Sequence, residues 1–198
     1  MKRYLVAIII ALFLCGCITD YKNPTQPGLD FNRVSRLSEL EGVYKNHGDW
    51  EGSGTLAYII WGDRRHNQKP PVVDFQAIEY IEVSSSDNSL TLKAIQNGCS
   101  IYEKTYVLGQ DFKIGDGKII IHREFHLLAR GSGDVVLGPS YDEFTLGLDT
   151  AREGKFRSSE SLAGLVFLLI PYATSDTRDV RFERLSDKPQ GFKTCGSH

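Results

Sequence analysis

The chain is poor in the signals that announce a known chemistry. It holds one Met, no Cys-x-x-Cys pair, no His-Glu-x-x-His, no Gly-x-Ser-x-Gly elbow, no glycine-rich phosphate loop and no acidic calcium loop. Nucleophilic, zinc-dependent and nucleotide chemistry therefore have no motif to rest on. No catalytic residue, metal ligand or cofactor is assigned, and the chain reads as a non-enzyme. Helical periodicity is scarce too, with no long amphipathic helix and no βαβ alternation, which argues against an α/β fold. No apolar run approaches the roughly 20 residues that a membrane-spanning helix needs. A surplus of one charge is also missing. There are 23 Lys and Arg against 25 Asp and Glu, for a net charge of −2, and the signs are interspersed. Such a surface is not built for a phosphate backbone, so nucleic acid is set aside as a partner.

What the sequence does have is strand formers and turn formers. Aromatics make up 11% of the chain and Gly occupies 19 positions, a balance that leans towards a β-rich domain.

The first seventeen residues stand apart. Lys2 and Arg3 precede an apolar run from Tyr4 to Leu14, followed by Cys15, Gly16 and Cys17. A basic start, a short apolar stretch and a small residue at its end make the layout of an export signal. Leu14-Cys15-Gly16-Cys17 resembles the lipobox of bacterial lipoproteins. That resemblance implies removal of residues 1–16 and a thioether-linked lipid with palmitate on Cys17. It also implies membrane attachment through this anchor. Cys15 is a second candidate, but the preceding Phe13 and Leu14 are bulky where the pattern wants small side chains. An ordinary secretory signal is the alternative. Ile18, rather than Asp, follows Cys17, and the resemblance then implies an outer-membrane protein facing the periplasm of the cell envelope.

Without Lys2 and Arg3 the net charge becomes −4. About 180 residues would remain, enough for one domain with a proper core. Residues 17–35, with Pro24, Pro27 and Gly28, read as a tether, and residues 36–198 as a single domain. Cys99 and Cys195 are left as a candidate disulfide in an oxidising compartment. Two unpaired thiols are the alternative.

Strand candidates are Thr55–Trp61, Val72–Val83, Ser89–Gln96, Cys99–Leu108, Phe112–Ile114 and Lys118–Leu128. Asn97-Gly98 is a strong two-residue hairpin signal, and Gly115-Asp116-Gly117 a three-residue one. Two shorter strands are expected around Gly138-Pro139. The polar stretch Asp149–Ser161 reads as a separator before Leu162–Pro171, an apolar run expected as a strand buried on both faces. Val180–Leu185 closes the series. Eight to ten antiparallel strands must curl or split into layers to protect their edges. The expectation is an up-and-down β-barrel, with a β-sandwich as runner-up. Gly42 and Tyr44 resemble the Gly-x-Tyr near the first strand of lipocalin-like barrels, and that resemblance favours the barrel.

On a strand, His122, Glu124 and His126 share a face, but the two histidines lie roughly 13 Å apart. They cannot share one metal, and a solvated outer face explains them. His47, Asp49 and Trp50 form a candidate loop at a cavity mouth. Arg64, Arg65, His66 and Lys69 make a small basic spot, read as a solvated loop. Two functions are then open: binding of a small apolar ligand or lipid inside the barrel, or docking on another envelope protein through the barrel surface.

Overall fold

In a computed structural model of the chain, residues 17–22, 30–49, 54–62, 73–126, 136–166 and 170–195 are described. The expected export signal, Trp50 and the basic spot from Arg64 to Lys69 lie outside them, as do the side chains of Cys17, His122, Glu124 and His126.

The described elements are strands with two short helical turns. In order, the strands are β1 (Cys17–Lys22), β2 (Phe31–Asn32), β3 (Gly42–Lys45), β4 (Tyr80–Ser85), β5 (Ser89–Gln96), β6 (Cys99–Val107) and β7 (Lys113–Gly115). They continue with β8 (Lys118–His126), β9 (Val136–Leu137), β10 (Ser140–Asp149), β11 (Gly154–Val166), β12 (Ile170–Phe182) and β13 (Arg184–Ser186). A 3₁₀ turn spans Leu37–Leu40 and a π-helical turn Tyr58–Gly62.

Two sheets result. One runs β13-β3-β4-β5-β6, the other β1-β12-β11-β10-β8-β7, with β2 paired to β10 and β9 to β11. Pairing is antiparallel wherever a register is described except between β1 and β12, which run parallel from Cys17 beside Tyr172 to Lys22 beside Thr177. Among the described residues neither order returns to its first strand. The up-and-down barrel and its lipocalin-like resemblance are therefore overturned, and a sandwich-like arrangement of two sheets fits instead. No helix among the described residues is long and apolar enough to cross a membrane.

The chain divides into two compact units. The first contains β1, β9 and residues 123–126, 140–144, 157–166 and 170–178. Here Gly138 lies so close to the backbone of Ala163 that a Cβ would overlap its carbonyl oxygen. Ala163 N–H donates to Pro139 O at 3.0 Å. The second unit holds the five-stranded sheet, β2, β7, both helical turns and residues 118–122, 145–149, 154–156 and 179–182.

The main core lies in the second unit. Tyr44, Ile81, Val83, Leu90, Leu92, Ala94 and Tyr106 from the five-stranded sheet meet Ile119, Leu148, Val180 and Phe182 from the other. Alternation along β4 and β5 puts these residues on one face, as the period of two requires. Asn97-Gly98 turns where the sequence places it, whereas the expected three-residue turn is shortened to Asp116-Gly117 because Gly115 pairs with Lys118 in the ladder. The residues of both turns tolerate left-handed backbone. Asn97 and Gly98 have φ of 52° and 71°, and Asp116 and Gly117 52° and 73°.

Other expectations fail. Thr55–Trp61, expected as a strand, makes one bridge at Thr55 and then winds into the π-helical turn. The turn is capped from two directions. Tyr58 N–H donates to Thr55 Oγ1 at 3.2 Å, and Ala57 N–H to Asn46 Oδ1 at 2.8 Å. Only Tyr80–Ser85 is strand in the stretch begun at Val72. The supposed separator is mostly β11, and Leu162–Pro171 is divided between the end of β11 and the start of β12.

Asn46 is fully buried, and its side chain joins three segments. Its Nδ2 donates to the carbonyls of Phe75 and Ile78, both at 2.8 Å, while Oδ1 receives the Ala57 amide. Asn46→Ala would strand two carbonyls and one N–H away from water, a loss of roughly 2–4 kcal/mol. Urea denaturation should show this as a lower midpoint with an unchanged slope.

Candidate functional site

An apolar pocket of about 70 Å³ lies within the second unit. Leu40, Tyr44, Leu56, Val83, Leu92 and Phe182 form much of its wall. Ligand sites for drug-sized molecules start at about 300 Å³, so this pocket holds at most a few carbon atoms. With no closed barrel around it, the expected carriage of a lipid or small apolar ligand in a barrel is overturned. Lys155 also reaches the wall, but its ammonium is committed to Asp179 at 3.0 Å and lies 5.3 Å from the Phe31 ring centroid. Lys155 and Asp179 are both buried, and burying the pair is tolerable because each charge meets its opposite.

Tyr44 links the pocket to its rim. Its hydroxyl donates to Leu40 O at 2.8 Å, and the Arg184 guanidinium sits 5.6 Å from its ring centroid. That guanidinium also donates to the carbonyls of Glu39 and Glu41. Burial pushes the Tyr44 phenol up to about 12. Burial raises Tyr106 in the same direction.

The outward-looking feature of this unit is β6, which ends the five-stranded sheet among the described residues. Leu108 N–H donates to Asn88 O at 2.8 Å, which sets the parity of the ladder. Tyr106 and Lys104 point their N–H groups at β5, so those of Thr105 and Glu103 point away from it. The open stretch is bounded at both ends. Val107 N–H is taken by Asp111 Oδ2 at 2.8 Å, and Ser100 N–H by Lys193 O at 3.0 Å. Between these ends Ile101, Glu103 and Thr105 are exposed, whereas Tyr102 and Tyr106 turn inward. Tyr102 meets Trp61 edge to face, ring centroids 5.2 Å apart.

The C-terminal segment from Asp187 to Cys195 reaches two strands of the same sheet. Glu82 Oε2 on β4 accepts from Gln190 N–H at 2.6 Å and Gly191 N–H at 2.8 Å. Gly191 has φ of 69°, a left-handed backbone that glycine adopts without strain. Thr194 forms a parallel bridge with Ser100, and Cys195 is disulfide-bonded to Cys99 with Cα atoms 5.5 Å apart. A cross-link spanning 96 residues is worth about 4–5 kcal/mol in the chain-entropy account.

The remaining residues singled out from the sequence are not brought together. His47 bridges Thr55, and Asp49 pairs with the backbone of Arg181 through its amide at 3.0 Å and its carboxylate at 3.2 Å. Neither lines the pocket as described. Cys17 opens β1. No group of three His, Cys, Asp or Glu among the described residues is placed to hold a metal. Glu82, Asn46 and the Lys155–Asp179 pair went unread, since a polar residue in a strand or loop carries no sign that it will be buried. Comparison with protein-family models, characterised proteins and solved structures finds no match for this chain.

The Tyr44 phenol gives the site a pH signature. Its folded value, about 12, lies above the ordinary 10, so its contribution is present below pH 10 and lost as pH rises through 12. Thermal unfolding followed by circular dichroism should show stability falling between pH 10 and 12. Tyr44→Phe should reduce that fall, with Tyr106 responsible for what remains, while costing about 1 kcal/mol at neutral pH for the lost bond to Leu40 O.

Proposed function

We propose that this protein is a non-catalytic docking module of the cell envelope, which receives an extended segment of another envelope protein along β6. The observation that carries the reading is the open edge from Ile101 to Tyr106, with outward N–H groups at Glu103 and Thr105. An unpaired strand edge is a template for an added strand, whose backbone supplies affinity and whose alternate side chains supply selectivity. Ile101 and Glu103 would give that selectivity one apolar and one acidic element. In this reading Cys17 carries the lipid anchor and holds the module at the outer membrane, facing the periplasm.

Thr105→Pro removes an outward donor and leaves the backbone ladder to β5 in place, giving up the Thr91–Thr105 hydroxyl contact at 2.8 Å, and proline on an edge strand is tolerated. Stability should fall by no more than about 2 kcal/mol, the lost hydroxyl contact included, and Thr105→Val, which loses that contact but keeps the outward N–H, should leave docking unchanged. A photoreactive side chain in place of Ile101 should give, in intact cells, one adduct heavier than this chain by the mass of a partner. Thr105→Pro should reduce its yield at least about tenfold. An adduct at twice the mass of this chain, or one indifferent to Thr105→Pro, would rule the reading out.

The anchor has a separate test. Cys17→Ala should move the protein from the membrane to the soluble fraction and abolish acyl labelling. Labelling that persists would place the lipid elsewhere, with Cys15 the first position to examine.

A further inference from the structure

The C-terminal segment does more than finish the chain, because its fixed points coincide with an apolar strip on the outer side of the sheet. Val43 and Ile95 are buried at 2% and 0% exposure, yet neither belongs to the main core cluster. Cross-strand register shows what borders them. Val43 is paired with Glu82, which holds the amides of Gln190 and Gly191. Ile95 is paired with Ser100, which holds Lys193 and Thr194. Residues 187–195 thus form a strap over this strip, and its far end occupies the first outward donor of β6.

The strap is held by few interactions. Asp187 to Gly191 and Lys193 to Cys195 are exposed, with Phe192 alone partly buried. Among the described residues, its hold on the sheet consists of the two Glu82 bonds, the pairing at Ser100 and the disulfide. Glu82 is itself almost fully buried, with Lys93 Nζ 3.8 Å from its other oxygen. Cys195, at the end of the strap, is exposed and Cys99 partly so, which leaves the bond open to thiol attack.

We propose that the Cys99–Cys195 bond is a redox clasp that controls how much of the β6 edge a partner can use. This rests on the docking reading above. A dithiol reductant attacks one sulfur and forms a mixed disulfide. Its second thiol then displaces the other protein sulfur. Cys99 and Cys195 end as thiols, having gained two electrons and two protons, and the reductant leaves as its own disulfide. Freed at that end, the strap lifts from Ser100 and Glu82. Ser100 N–H joins Glu103 and Thr105 on the open edge, and Val43 and Ile95 become available beside it. The oxidised chain offers the short edge, the reduced chain the long one.

Hydrogen exchange on the full chain with and without dithiothreitol tests the clasp directly. In the reduced chain, the amides of Ser100, Gln190 and Gly191 should lose protection by about 100-fold or more. Those of Ile81, Val83 and Leu92 should change by less than about tenfold. Cys195→Ser should reproduce the pattern without reductant. Unchanged strap protection, or an equal loss throughout the core, would overturn the clasp while leaving the Thr105→Pro result to judge docking by itself. Where the strap opens, the adduct formed from position 101 should rise several-fold on reduction. An adduct that is present, sensitive to Thr105→Pro and indifferent to reduction overturns the clasp alone. Absence of any adduct in both redox states overturns docking and the clasp together.

Discussion

A sheet that does not close on itself has two ends, and at each end a row of backbone groups must find partners or face water. Much of the second unit can be understood from how it treats the ends of the β13-β3-β4-β5-β6 sheet. At β13, Arg184 gives its amide to the Glu153 carboxylate and its guanidinium to the carbonyls of Glu39 and Glu41. Segments far apart in sequence are gathered there onto one side chain. At β6 the treatment is partial. The Ile101 bulge, the strap at Ser100 and Asp111 at Val107 leave a short stretch between them. A bulge and covered ends keep an edge from pairing indiscriminately, and the same devices delimit what a chosen partner could use.

The interior follows a related rule about polar groups. Asn46, Glu82, Asp149, Lys155 and Asp179 are all buried, which would be costly if their polar atoms were unmatched. Each is matched to something a particular segment supplies. Asn46 serves the loop before β4 and the π-helical turn. Asp149 Oδ1 receives the amides of Ala151 and Glu153 at 2.8 and 2.9 Å, closing the β10–β11 turn. Glu82 serves the strap. These side chains place loops and tails that hydrophobic burial, being non-directional, would leave loosely specified.

The parts of this fold that show in the sequence are those where backbone and side chain answer to the same local rule. Asn97-Gly98 and Asp116-Gly117 are turns in any context, and Leu90, Leu92 and Ala94 alternate because one face of β5 is dry. Thr55–Trp61 misleads because a short apolar run satisfies a buried strand and a buried helical turn equally. Tertiary capping by Asn46 tips it to the latter. β11 and β12 mislead in the opposite way. Their stretches Arg157–Glu160 and Thr174–Asp176 are polar, so neither face carries the alternation from which a strand would be read. Barrel closure was beyond reach from local pattern, since open and closed antiparallel sheets alternate alike and differ only in which strands meet last. The edge at β6 was hidden for the same reason: nothing within Cys99–Val107 says that no described strand follows on its far side.

The cross-link between Cys99 and Cys195 also changes how the chain carries load. Residues 100–194 form a covalently closed excursion, which contains β7 to β13. A pull applied between β1 and the C-terminal tail runs through the polypeptide to Cys99, crosses the two sulfurs and leaves at Cys195. The excursion is bypassed, and the contour that can be drawn out is shorter by its whole length. For a domain held to a surface at one end, the bond is therefore a mechanical short circuit. Breaking it would place nearly half of the chain in series with the rest.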